Sequence, residues 1–78
     1  MSKKKIDECI RESLNAYFHD MNGVEPHGMY DMLLNAVEKP LLEVVMQHAE
    51  QNQSRAAEWL GLNRNTLRKK LLDHKLLK

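Results

Sequence analysis

From Met29 to Gln51 the chain carries a helical pattern whose apolar residues fall on more than one face: Met29, Tyr30, Met32, Leu33, Leu34, Val37, Leu41, Leu42, Val44, Val45, Met46 and Ala49. A helix that is apolar nearly all round must be buried nearly all round. The whole chain has 78 residues, enough for one domain and too little to surround such a helix from every side. Small domains make up the deficit with disulfides, a metal or oligomerisation. Cys9 is the single cysteine, so no internal disulfide can form, and no cysteine or histidine cluster has zinc spacing. Oligomerisation remains, and the expectation is a second copy that shares a helical bundle with the first.

Pro40 falls inside this long pattern. Proline removes one helix hydrogen bond and crowds the preceding turn. Because the pattern continues on both sides, one kinked helix is predicted, with two helices broken near Lys39 as the alternative. Ahead of it, Ile6, Ile10, Leu14, Tyr17, Phe18 and Met21 recur at helical spacing and predict an amphipathic helix from about Lys4 to Met21. Asn22-Gly23 ends that helix, since glycine tolerates the left-handed cap. Val24 to Gly28 reads as a loop.

The C-terminal third has a different character. Gln53–Leu60 follows Asn52, and Arg64 to about His74 follows Asn63, each asparagine being a plausible N-cap. Between them Gly61-Leu62 makes a short turn, with Gly61 supplying positive φ. Ala56 and Ala57 let two short helices cross closely, and Leu62, Leu67 and Leu71 pin the second on the first. Together these features predict a helix-turn-helix.

Charge is distributed to match. Residues 53–78 hold seven basic residues, Arg55, Arg64, Arg68, Lys69, Lys70, Lys75 and Lys78, against Glu58 and Asp73, a local charge of +5. Residues 1–52 hold five basic and nine acidic residues, a charge of −4. A basic end on an acidic body is the footprint of a polyanionic partner. With Leu67 and Leu71 inward, a helical wheel turns Asn65, Thr66 and Lys69 outward and puts Arg68 and Lys70 on the flanks. Arg64, in the first turn, has the reach for a bidentate contact with guanine. Asn63 caps the helix or meets an adenine edge. Lys69, Arg68 and Lys70 suit phosphates, as do Asn52, Ser54 and Arg55 at the start of the preceding helix.

These residues fall into recognisable blocks: Leu14-Asn15-Ala16-Tyr17-Phe18, Asn22-Gly23, Glu38-Lys39-Pro40-Leu41-Leu42, Val45-Met46-Gln47, Asn52-Gln53-Ser54-Arg55-Ala56-Ala57 and Asn63-Arg64-Asn65-Thr66-Leu67-Arg68-Lys69-Lys70-Leu71. From about Cys9 to Leu71 the chain resembles the Fis family (factor for inversion stimulation) of bacterial nucleoid-associated proteins. The last two blocks are also similar to the DNA-binding domains of NtrC-type activators. The Fis resemblance implies an intertwined homodimer with paired helix-turn-helix units that bend DNA and read a degenerate palindromic site. It implies base and adjacent phosphate contacts by Asn63, Arg64, Thr66 and Lys69, and backbone contacts by Asn52, Ser54, Arg55, Arg68 and Lys70. Departures from the family accompany it. Ser54 stands for a threonine, Gln51 for a glycine, Glu50 for a basic residue, Asn65 for a glycine, and Leu72 and Asp73 for two lysines. Fewer flanking cations predict less DNA wrapping. The chain starts just before its first helix, so no N-terminal β-hairpin arm and no stimulation of site-specific inversion are expected.

The resulting expectation is an all-α chain of four helices forming one domain over residues 1–78. Residues 4–51 would be the dimerisation helices, with Leu14, Tyr17, Phe18, Leu33, Val37, Pro40, Leu41, Val44 and Val45 in the shared core. Residues 53–74 would be the helix-turn-helix. Double-stranded DNA and a second copy are the expected partners, with RNA polymerase as a further candidate. No cofactor, metal, membrane or small-molecule substrate is expected, and no catalysis, because the sequence shows no nucleophile constellation, no carboxylate pair in a recognisable site and no phosphate-cradling glycine loop. One free cysteine and the lack of an export signal place the protein in the cytoplasm, associated with the nucleoid. A specific operator-binding regulator or an NtrC-type DNA-binding domain is the alternative, and a helical protein-interaction module a more distant one. Met21, Met29, Met32 and Met46 are expected in the core, Trp59 beneath the helix-turn-helix and Cys9 as a small buried residue. His19, His27, His48 and His74 are expected to be structural or exposed, Lys3-Lys4-Lys5 to be a disordered lead, and residues 74–78 to fray.

Overall fold

A computed structural model describes residues 3–77 as four α-helices. Expectations about Met1, Lys78 and the side chains of Lys3 and Lys4 lie outside the described residues. Helix α1 spans Lys3–Met21, α2 Met29–His48, α3 Gln53–Leu60 and α4 Arg64–Asp73. The backbone of Lys3–Lys5 is helical, so the expected disordered lead gives way to the first turn of α1. Pro40 lies inside α2, which runs unbroken past it.

The buried core is Leu42, Met46, Ala49, Ala56, Ala57, Leu67 and Leu71. It joins the C-terminal half of α2 to α3 and α4, and the described side chains of α1 contribute no buried residue. On α1, Ile10, Leu14, Tyr17 and Met21 are half-buried along one stripe, while Ile6 and Phe18 stay exposed. Leu34, Val37, Leu41 and Val44 form a second stripe on α2, on a different face from the covered one, and all four are exposed. Their spacing of three and four residues is that of a bundle seam. Pro40 is exposed beside it, and Leu33 and Val45 are half-buried. Thus α2 is apolar on two sides, and the chain covers only one of them.

Three expectations change. Cys9 is exposed, in a cleft that α1 and α2 line with Ile6, Ile10, Leu33, Val37 and Pro40, because nothing in a single chain closes that side. Met46 is in the core and Met21 and Met29 are half-buried, but Met32 is exposed. Trp59 is 56% exposed rather than packed beneath the helix-turn-helix. The inner face of α3 is taken by the two alanines that let α4 approach, and the indole projects from the other side.

Residues 74–77 fold back on the core instead of leaving the domain. His74 caps the helix, Lys75 adopts φ 59°, and the Leu76 N–H reaches back to the Leu71 carbonyl at 2.8 Å. This double-bonded ending turns Leu76 and Leu77 onto the core. The end of α2 is built alike, with the Gln51 N–H bonded to Met46 O at 2.9 Å and the Glu50 N–H to Gln47 O at 3.2 Å. Here two successive non-glycine residues, Glu50 at φ 55° and Gln51 at φ 64°, sit in the left-handed region. That region costs an L-residue about 1–2 kcal/mol, less what glycine loses through its freer unfolded chain. Gln51→Gly is therefore expected to stabilise the fold by about 0.5–1 kcal/mol, raising the thermal midpoint by several degrees. An unchanged or lowered midpoint would show that the side chain earns back the backbone strain.

Candidate nucleic-acid interface

Helix α3 begins at Asn52, whose Oδ1 accepts the Arg55 N–H at 3.1 Å. It ends at Gly61, which takes φ 73°. The Gly61 N–H donates to Glu58 O at 3.2 Å and the Leu62 N–H to Ala57 O at 2.9 Å, closing the last turn twice. Asn63 then caps α4, its Oδ1 accepting the Thr66 N–H at 3.1 Å. The turn thus consists of one left-handed glycine, Leu62 folded inward and a capping asparagine. Glycine is favoured at the left-handed position and asparagine at the cap.

Leu67 and Leu71, 0% and 1% exposed, hold α4 on Ala56 and Ala57. With that face committed, Asn65, Thr66 and Lys69 are exposed as the helical wheel turns them, and Arg64 in the first turn and Arg68 on the flank are exposed as well. Arg64 stands in the first turn, beside backbone N–H groups that the helix leaves without intrahelical partners. Ser54 and Arg55 are exposed in the first turn of α3. Arg55 lies 3.8 Å from Glu50, but both side chains are open to water, 49% and 84% exposed, and a pair of this kind holds only weakly. The arrangement is a projecting helix with a cationic, hydrogen-bonding face on a rigid pedestal. It suits insertion into a groove lined by acceptors and flanked by negative charge. Among the described residues no cluster of His, Cys, Asp or Glu could hold a metal ion, and no helix is long and apolar enough to cross a membrane.

Asn63 is the cap, so its side-chain oxygen is already engaged, leaving its amide NH₂ as the donor for an outside partner. Lys70 departs furthest from the expected picture. Its Nζ lies 3.0 Å from Glu38 Oε2 on α2, and His74 Nε2 lies 2.8 Å from the other carboxylate oxygen, Oε1. An ionised carboxylate only accepts, so His74 Nε2 carries the proton of this bond. The bond from His74, then that from Lys70, holds the Glu38 carboxyl below its ordinary value, against a smaller opposing effect of burial. Glu38 was not singled out by the sequence reading. The available signal was an acid at mid-helix, between Val37 and the Lys39-Pro40 pair, in a helix with apolar residues on more than one face.

A depressed folded-state pKa stabilises the fold above the ordinary carboxylate value, and that contribution is lost as the pH falls through the folded one. The wild type is therefore expected to lose stability on acidification below about pH 4.5 more steeply than Glu38→Gln, as read from urea midpoints at stepped pH. Parallel curves would show that Glu38 carries no such linkage.

Comparison with known proteins agrees with this geometry. The profile of a family described as bacterial regulatory protein, Fis family, matches residues 33–74. A Fis-like DNA-binding protein of Ralstonia nicotianae is 57% identical over 77 residues, covering 99% of this chain and 100% of that protein. One from Neisseria meningitidis serogroup B is 61% identical over 72 residues, 92% of this chain and 91% of the relative. The DNA-binding protein Fis of Proteus vulgaris is 42% identical over 71 residues, 91% of this chain and 76% of the relative.

Proposed function

The chain belongs to the Fis family of bacterial regulatory proteins, and on that premise we propose that it binds double-stranded DNA as a homodimer and regulates transcription by binding and bending. The observation that carries this reading is the exposed face of α4, where Arg64, Thr66, Arg68 and Lys69 project from a helix whose opposite side is locked by Leu67 and Leu71. Arg64 is the candidate for a bidentate contact with guanine. Thr66, Lys69 and the Asn63 amide reach neighbouring base edges or phosphates. Arg68, Ser54, Arg55 and the α3 N-terminus at Asn52 bind the backbone and set the register.

The dimer follows from the uncovered stripe of α2. A second copy related by a two-fold axis would bury Leu34, Val37, Leu41 and Val44 against their own counterparts, with Leu14, Tyr17 and Phe18 of α1 joining them. Two recognition helices would then face one side of a duplex, about one helical turn apart. With few base-reading side chains per half-site, much of the selectivity would come from DNA deformability. A sequence-tolerant binder of this kind would reside on the nucleoid.

The test is fluorescence anisotropy on an A/T-centred duplex at two salt concentrations. The wild type is expected to bind tightly and with strong salt dependence, and Arg64→Ala to lose about 1–3 kcal/mol per half-site. Absence of wild-type binding even at low salt would refute the reading. Tight binding confined to one or two operators would instead make the protein a specific regulator.

A further inference from the structure

The side-chain bonds of Asn52 and Asn63 close within a single helical turn, and Arg55 lies five residues from Glu50. Glu38 is different. It stands on α2, yet its two oxygens bond Lys70 and His74, which are 32 and 36 positions away on α4 and its cap. Residues four apart on a helix lie one above the other, so a single carboxylate grips two successive turns of α4. Leu67 and Leu71 hold the same helix by apolar contact, which resists separation but resists sliding and rotation poorly. A pair of directional bonds supplies what that packing lacks. The grip also takes a cation out of use. Lys70 and Glu38 are 34% and 29% exposed in their side chains, whereas Arg64, Arg68 and Lys69 are exposed and unpaired by any described carboxylate.

We propose that Glu38 is a positioning residue that determines DNA discrimination, by fixing α4 on α2 and holding the Lys70 ammonium away from the phosphates. The proposal rests on the DNA-binding reading above. Phosphate contacts by lysine add affinity to every sequence alike, so a cation neutralised within the fold lowers non-specific binding at no cost to base contacts. If α2 forms the two-fold core, the same carboxylate ties the pitch of each recognition helix to that core, and hence the spacing at which two half-sites can be read together. Glu38→Gln therefore changes two things in one direction. It frees one cation per protomer for sequence-independent contact, and it loosens the helix that carries Arg64.

The experiment compares the wild type, Glu38→Gln and the double variant Glu38→Gln/Lys70→Gln on a Fis-type A/T-centred duplex and on a random duplex, across salt. With about 0.9 unit of salt slope per phosphate contact, two freed lysines are expected to steepen the Glu38→Gln slope by about 2. Its affinity for random DNA then rises about tenfold over the wild type at about 50 mM salt, and this advantage largely disappears by about 200 mM. The ratio of site to random affinity falls, and the double variant returns to the wild-type slope. A merely destabilised protein would lose affinity for both duplexes, the opposite result. Independently of DNA, backbone amides of residues 70–76 are expected to exchange faster in Glu38→Gln than in the wild type, with the first turn of α3 unchanged. Equal slopes on random DNA, or unaltered exchange over 70–76, would overturn the proposal while leaving wild-type DNA binding intact. Failure of the wild type itself to bind would instead remove the reading beneath it. If Glu38→Gln does not fold, the Lys70 ammonium resonance of the wild type decides: it stays at its free-protein shift when DNA is added, and a move to a phosphate-bound shift refutes the idea.

Discussion

Leu41→Glu is expected to run as a monomer in sedimentation at micromolar concentration and to bind an A/T-centred duplex about a hundredfold or more weakly than the wild type. Leu41 lies at the centre of the exposed α2 stripe, between Val37 and Val44. In a two-fold dimer the substitution places two carboxylates near each other in an apolar seam. Burying an unpaired charge costs several kcal/mol or forces the group to neutralise, and here the cost falls twice. The second loss follows from the first. A dimer makes its second half-site contact within the same molecule, at an effective concentration far above that of free protein, and a monomer forfeits that gain. Because Leu41 is 48% exposed within one chain, the substitution disturbs little of the chain's own core, and circular dichroism should still show folded helix. Val44→Ala, a milder change on the same stripe, should give a dimer that dissociates on dilution. A Leu41→Glu protein that remained dimeric and bound DNA undiminished would place the interface elsewhere.

The second large effect lies inside the chain. Leu67 is 0% exposed and stands where α4 crosses the alanines of α3. Leu67→Ala removes buried methyl groups and leaves a void that two short helices closed by a tight turn cannot easily collapse. A loss of about 3 kcal/mol is expected from urea unfolding, a large share of the stability of so small a domain. DNA binding should fall with it, since Leu67 and Leu71 are the buried side chains of α4 that seat the helix carrying Arg64 and Lys69. Thr66→Ala, one residue away and exposed, supplies the contrast: stability within about 0.5 kcal/mol of the wild type and binding reduced. A Leu67→Ala cost below about 1 kcal/mol would mean that α4 is not seated as described.

The two variants divide the protein between the α2 stripe that the chain leaves uncovered and the helix-turn-helix packed within it. Much of the candidate interface was legible because its determinants are local. Asn52 and Asn63 each cap the helix that follows them, and their partners lie three residues away. Gly61 takes the left-handed conformation expected of it, and the period of Leu67 and Leu71 orients Asn65, Thr66 and Lys69 outward. The Fis-family blocks coincide with these same positions, so the resemblance and the physics pointed to one surface.

Other features were out of reach for a reason equally physical. The local pattern puts Lys70 on a flank of α4 and Lys69 outward, but it does not show that Lys70 meets Glu38 while Lys69 stays open to solvent. That difference depends on how α4 lies across α2, which only the packed fold decides. Trp59 and Cys9 were misplaced because hydrophobicity states what a side chain prefers, while position on the helix states what it receives. Trp59 sits behind the alanines, and Cys9 faces a cleft that one chain leaves open. Leu76 and Leu77, beyond the last regular turn, return to the core because Lys75 reverses the chain direction. By itself the sequence determined the helices, their caps, the turn and the outward face of α4, since each is settled within a turn or two of backbone. Tertiary structure alone decided which cation is spent inside the fold, which apolar face is left uncovered and where the chain end lies, because those depend on contacts between residues tens of positions apart.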